Sequence, residues 1–145
     1  MNLNNRSAFT MMELVFVIVI IGILSGIAIP RFAATRDDAL ITKGISTLSA
    51  VRNSIATERQ KRILRGDFTN ITDLSSTGTG QIFTTFNADK DGNKNRVLEY
   101  SMKSGNASGE WEKNATTYTF YYEGGSCPYT LVNNRLIGTC SEFGE

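Results

Sequence analysis

The stretch FTMMELVFVIVIIGILSGIAIP, residues Phe9–Pro30, carries one charge, Glu13, and none at all from Leu14 to Ile29. A helix needs about 20 apolar residues to cross a bilayer, and this stretch is long enough. Its many Val and Ile residues suit a strand. The length and the lack of any turn signal before Pro30 favour a helix. A buried core helix is the first competitor, but residues 31–145 show too little apolar surface to surround it. A cleaved secretory signal peptide is the second, with Met1–Ala8 as its polar start and Arg6 as its one basic side chain. Its apolar region would run too long, with Glu13 inside it.

The rest of the composition is moderate. The chain has 145 residues, 15 Lys+Arg against 14 Asp+Glu, two cysteines and no histidine. That length accommodates one domain of ordinary size. Without histidine, Ser-His-Asp and Cys-His catalysis and His-based metal sites are excluded. No nucleotide- or nicotinamide-binding motif is present, so an enzyme is not expected. A net charge of +1 makes no global case for nucleic acid or an anionic surface.

Glu13 is the informative residue. A carboxylate at a membrane segment costs a few kcal/mol and usually marks function, with a partner nearby. The segment contains no basic side chain. Arg6 is one candidate. A new α-amino group is another, if the chain is cut before Phe9, and the same amine on a neighbouring subunit would serve equally well.

Ala8-Phe9-Thr10-Met11-Met12-Glu13-Leu14, the apolar run, Gly22 and Pro30 together resemble the N-terminus of type IV prepilins and type II secretion pseudopilins. Counted from Phe9, Glu13 is fifth, Gly22 fourteenth and Pro30 twenty-second, as in that family. The resemblance covers about residues 6–32. It implies a leader, 1–8, removed between Ala8 and Phe9 by a prepilin peptidase, and N-methylation of Phe9. It also implies filament assembly through Glu13, and helix kinks at Gly22, Gly26 and Pro30. The family leader usually ends in Gly, so Ala8 is a departure that bears on the rate of cleavage. Positive charges counted alone favour an external N-terminus, because Arg31, Arg36 and Lys43 follow the span. The family instead places the leader in the cytoplasm and the head in the periplasm.

After Pro30, Ile41, Ile45, Leu48, Val51 and Ile55 recur at helical spacing on one face. Pro30 can kink a helix without ending it. Residues 9–30 and 31–65 are thus expected to form one helix, apolar all round and then amphipathic, stopping at Gly66. Its last turns hold Arg52, Arg59, Lys61, Arg62 and Arg65. A solvated face that suits the helix dipole is the expected role. A subunit contact or phosphate binding is the alternative.

Residues 66–145 read as a β-rich head. Strands are expected at Gln81–Phe86, Arg96–Met102, Thr117–Tyr122, Tyr129–Val132 and Arg135–Ile137. Asn133-Asn134 suits a type I′ hairpin turn. A register that sets Val132 opposite Arg135 also sets Cys127 opposite Cys140, which predicts a disulfide between them. Two free thiols are the alternative and would mean a cytosolic head. Pro128 falls where its missing N–H would be needed, so an edge strand or bulge is expected there. Pilins often carry such a C-terminal disulfide, whereas many major pseudopilins lack one. The fold class is therefore α+β and type IV pilin-like, with the long helix packed on a small antiparallel sheet.

Three further motifs carry chemistry. Asn87, Asp89, Asp91 and Asn93, with Gly92 sixth in the run, resemble the start of a calcium loop. Ordinary Asp/Asn/Gly turn chemistry explains the same residues, so no cofactor is certain and Ca2+ is the one candidate. Asn70, Asn106 and Asn114 each begin an Asn-x-Ser/Thr acceptor, and Glu112 gives Asn114 the acid of an extended bacterial acceptor. Trp111, Tyr118, Phe120, Tyr121 and Tyr122 are expected in the core, with a stacking or adhesive surface as the alternative.

The resemblance implies a structural pilin or pseudopilin subunit of a type IV pilus or type II secretion pseudopilus. Its partners would be copies of itself and other pilin-like subunits, the peptidase/methyltransferase, an inner-membrane assembly platform and, before assembly, inner-membrane lipid. It would end in a filament in the periplasm or at the cell surface. Two alternatives stay open: a minor pilin that binds DNA or an adhesive target, and an anchored periplasmic protein that never polymerises.

Overall fold

A computed structural model describes residues 9–76 and 80–145, with the backbone alone over 29–34. The chain divides into two compact units, Met1–Arg36 and Asp37–Glu145. Helix α1, Met11–Leu64, belongs to both.

In the first unit the helix begins at a defined cap. The Thr10 hydroxyl accepts a hydrogen bond from the Glu13 backbone N–H at 3.2 Å. Thr10 thereby occupies the N-cap and Glu13 the third helical position, one half of a capping box. Gly22, Gly26 and Pro30 all lie within helical backbone. Met11–Ala28 is long and apolar enough to span a membrane, and none of it is buried within the chain.

In the second unit α1 turns one face inward: Gly44, Leu48, Val51, Ile55, Glu58 and Arg62 are buried. This face is rotated from the expected stripe. Ile45 is exposed, and Gly44 takes the inward place beside Leu48. A Cβ on Gly44 would come within 2.7–2.8 Å of the Phe143 and Phe120 rings, so only glycine admits this approach. The helix stops at Gly66 with φ 69°. Gly66 N–H donates to the Ile63 carbonyl at 2.9 Å and Asp67 N–H to the Arg62 carbonyl at 2.8 Å. These two bonds form a Schellman cap.

The sheet is antiparallel, in the order β3 (Trp111–Asn114), β4 (Thr117–Tyr122), β5 (Gly125–Val132), β6 (Arg135–Gly138). A small second sheet pairs β1 (Gln81–Ile82) with β2 (Met102–Lys103). β4 has the predicted bounds. The β5–β6 hairpin has the predicted register, Val132↔Arg135 through Tyr129↔Gly138. Asn133 and Asn134 both take positive φ, 49° and 61°, which a type I′ turn requires.

Three expectations are corrected. The strand expected over Gln81–Phe86 ends after Ile82 because Phe83 takes φ 56°, leaving an isolated Thr85↔Arg96 bridge. Of Arg96–Met102, only Met102 joins a strand. β5 is not an edge strand, since β4 and β6 flank it. Pro128 is accommodated because the β5–β6 ladder ends at Tyr129↔Gly138, one residue before a proline N–H would be called for. β3 was not expected, because Glu112, Lys113 and Asn114 have little strand propensity.

The core joins the helix face to the sheet. Phe83, Trp111, Tyr118, Phe120 and Tyr129 are wholly buried, with the Trp111 and Phe120 rings 5.2 Å apart. The chain after β6 folds back through a short 3-10 helix, Ser141–Phe143, whose Phe143 ring lies 5.5 Å from that of Phe120.

Candidate functional site

Met11–Ala28 presents apolar side chains to every side, with Glu13 as its one acid. Phe9, Met11 and Met12 are about four-fifths exposed. The Glu13 backbone is held by Thr10, and its carboxylate makes no hydrogen bond or ion pair among the described residues. A carboxylate in the first turn of a helix is favoured by the exposed N–H groups there. Residues 1–8, the expected leader with Arg6 and Ala8, lie outside the described residues, and so does one side of the expected cleavage position. Thr10 was missed in the sequence, although the Thr-x-x-Glu spacing is a readable capping signal.

The basic end of α1 is a solvated face at Lys61 and Arg65 and half-buried at Arg52 and Arg59, as expected, but not at Arg62, where the expectation is corrected. Arg62 is wholly buried. Its Nε donates to Glu58 Oε1 at 2.9 Å and its second guanidinium nitrogen to the Asn87 carbonyl at 2.6 Å. Asn95 Nδ2 donates to both Glu58 oxygens at 3.1 and 3.0 Å. Arg59 donates to the Thr69 carbonyl, and Arg65 pairs with Asp89 at 3.2 Å. Arg52 forms a two-pronged pair with Glu145 and lies 5.6 Å over the Tyr129 ring. These arginines tie the helix to the loops and tail of its own unit. The Glu145, Glu58 and Asp89 carboxylates offset the charges of Arg52, Arg62 and Arg65, charges that a phosphate backbone would otherwise draw on.

The turn at 87–93 closes on itself. Asp89 Oδ1 accepts the Asp91 and Asn93 N–H groups at 3.0 and 2.8 Å, and its other oxygen faces Arg65. Asn87 Oδ1 accepts the Thr72 and Asp73 N–H groups at 2.8 and 3.3 Å. Burial raises the Asp89 carboxyl pKa, but the bonds from Asn93 and Asp91 and the Arg65 charge outweigh it and hold the pKa below the ordinary value. Arg65 supplies the positive charge that a cation would bring. Among the described residues no group of three or more His, Cys, Asp or Glu side chains is placed to hold a metal ion.

Of the five aromatic residues between 111 and 122, Trp111, Tyr118 and Phe120 are in the core, while Tyr121 and Tyr122 are half-buried. The Tyr118 hydroxyl accepts the Leu74 N–H at 2.8 Å and donates to Asp73 at 3.2 Å. A stacking surface is thus reduced to two side chains at most. Cys127 and Cys140 are joined by a disulfide with their Cα atoms 5.4 Å apart, and both are buried.

Residues 3–29 match a family model described as the prokaryotic N-terminal methylation motif. The chain is 32% identical over 118 residues to a fimbrial protein of Pseudomonas aeruginosa, covering 70% of this chain and 73% of that protein. It belongs to the type IV pilin family. A second Pseudomonas aeruginosa fimbrial protein is 31% identical over the same shares. The type IV narrow pilus major component PilA5 of Thermus thermophilus is 49% identical over 57 residues, 38% of this pilin and 49% of that protein. No solved structure matches the chain. As a pilin, the chain is a structural subunit whose long apolar helix carries the methylation motif at its head.

Proposed function

We propose that this pilin is cut between Ala8 and Phe9 by a prepilin peptidase that also methylates Phe9. Before assembly it is held in the inner membrane by one span, with the Asp37–Glu145 unit in the periplasm, where the Cys127–Cys140 disulfide can form. An assembly platform then moves it into a type IV filament whose core is made of helices 9–30 from many copies. The role is structural, with no catalysis assigned to it.

One observation carries this reading: an apolar helix surface left entirely uncovered by its own chain, with a single carboxylate at its start. Lipid covers such a surface before assembly, and other copies of the same helix cover it afterwards. Glu13 is then placed to meet the α-amino group of Phe9 on a neighbouring subunit, a pairing that only cleavage creates. The resemblance of residues 6–32 to prepilins and the fimbrial relatives support the same reading.

Mass spectrometry of the membrane-extracted N-terminus tests processing. A chain beginning at methyl-Phe9 is expected, and an intact Met1 would overturn the proposal. Glu13→Ala tests assembly. Membrane insertion should be unchanged and sheared filament should fall at least tenfold, whereas normal filament yield would sink the role given to Glu13.

A further inference from the structure

We propose that Asn114 is an acceptor for N-linked glycan transfer, at the tip of the β3–β4 hairpin on the exported unit. The unit Asp37–Glu145 has three Asn-x-Ser/Thr acceptors, at Asn70, Asn106 and Asn114; a fourth triplet, Asn5-Arg6-Ser7, lies outside the described residues. Transfer to such an acceptor needs a side-chain amide open to solvent, a hydroxyl two residues later that the transferase can hold, and backbone free enough to enter its site. Among the described residues Asn114 alone meets the first two, and its tip is held by little backbone: the Asn114↔Thr117 pair and one bond from the Leu131 N–H to the Thr116 carbonyl at 3.0 Å.

Asn70 is built into the packing. Its Oδ1 accepts from Asn134 Nδ2 at 3.0 Å and its carbonyl accepts from Asn87 Nδ2 at 3.0 Å. The next residue, Ile71, is buried, and its N–H donates to Asn134 Oδ1 at 2.6 Å. The Thr72 N–H is bound to Asn87. A transferase could grip Asn70 only by pulling this segment off the core.

Asn106 fails at the second requirement. The Ser108 hydroxyl two residues on is buried without a hydrogen-bond partner. The Ala107 N–H is held by Glu110 at 3.3 Å.

Asn114, Ala115 and Thr116 are all exposed. Neither the Asn114 amide nor the Thr116 hydroxyl makes a side-chain hydrogen bond among the described residues. β3 ends its sheet, so the tip has a strand on one side only. The Asn114↔Thr117 pair closes the hairpin, and Ala115 sits there at φ 53°. A non-glycine residue in that region carries about 1–2 kcal/mol of strain, which favours opening of the tip. Glu112, two residues before Asn114, uses one carboxylate oxygen to accept from the Tyr121 hydroxyl at 2.8 Å. Its other oxygen is left for a basic group on the transferase.

The co-reactant is an oligosaccharide carried on a polyprenyl pyrophosphate. Asn114 Nδ2 attacks the anomeric carbon, forming the N–C bond. The bond from that carbon to the pyrophosphate oxygen breaks, and its electron pair leaves with the lipid. The amide gives up one proton to a base of the transferase, and nothing is oxidised or reduced. The inference rests on the reading that residues 37–145 are exported, because such transfer takes place across the inner membrane.

The full-length protein is co-produced with a bacterial oligosaccharyltransferase of acidic-acceptor specificity and its lipid-linked glycan, extracted in detergent, and mapped by peptide mass. The peptide holding Asn114 should gain the glycan mass. Asn114→Gln and Thr116→Val should abolish the gain, and Glu112→Gln should cut occupancy at least tenfold. Asn70→Gln and Asn106→Gln should leave it unchanged, and melting curves of all variants should coincide with the parent at the 112–116 positions. An unmodified Asn114 peptide, or glycan on Asn70 or Asn106 instead, overturns the proposal. The same map reads the N-terminus: methyl-Phe9 with bare Asn114 removes the glycan alone. Intact Met1 with glycosylated Asn114 removes the processing step alone.

Discussion

Arg62 and Glu58 sit in the middle of the helix-to-loop contact, and each is stranded if the other is removed. Arg62→Ala would leave a buried carboxylate held only by Asn95 and would also free the Asn87 carbonyl. A loss of about 3–5 kcal/mol is expected on denaturant unfolding followed through Trp111. Arg59→Ala, which gives up one exposed bond to a carbonyl, should cost under about 1 kcal/mol by the same measurement. Asp67 belongs to the same corner. The Lys90 and Thr69 backbone N–H groups donate to its carboxylate at 3.0 and 2.8 Å and pull its pKa from 3.8 to about 2. A carboxyl with a depressed pKa stabilises the fold fully above 3.8, and that stability is lost as pH falls towards 2. Asp67→Asn should therefore flatten the fall in melting temperature between pH 4 and 2. An equally steep fall in the variant would show that other groups cause it. None of this was legible from residue type: five bases on about four helical turns look the same whether water or a buried carboxylate faces them.

At the scale of elements, the two hairpins of the sheet behave differently. The Asn133-Asn134 turn could be read directly, because few residues other than Gly and Asn tolerate two successive positive φ angles. The β3–β4 turn could not, since Ala115 carries no such signal and takes φ 53° all the same. Ala115→Gly should raise stability by about 1 kcal/mol through relief of that conformation. Asn134→Gly should lower it by about 1–2 kcal/mol although its backbone also accepts glycine. It removes the acceptor of the part-buried Ile71 N–H and the link to Asn70. Equal shifts from the two substitutions in a thermal melt would contradict this account. α1 was legible over its whole length for a different reason: apolar periodicity and a terminal Gly are local signals, and the Schellman cap at Gly66 is built from backbone alone.

At the scale of the molecule, the two units bury their apolar residues by different means. The unit Asp37–Glu145 covers its aromatic core with its own helix and sheet. The helix of the first unit covers nothing, and an exposed apolar surface of that size in water marks an interface or a membrane segment. Glu13→Ala belongs to this scale, because its expected effect is on filament yield and not on folding of the 37–145 unit. The thermal melt of that unit should be the same in Glu13→Ala and the parent, and a shifted melt would mean that Glu13 contributes within its own chain.

Local signals along the chain were enough for the long helix with its apolar half, the N-terminal methylation motif and the C-terminal hairpin with its disulfide. These rest on composition, spacing and backbone conformations that neighbours in the chain impose. Contacts across the fold settle that Arg62 among the helix arginines is buried, that Gly44 and not Ile45 faces inward, that β3 exists, and which of the three acceptor asparagines in the Asp37–Glu145 unit is open. Those outcomes depend on what lies opposite a side chain across the fold, and a residue's own identity does not specify its distant partner.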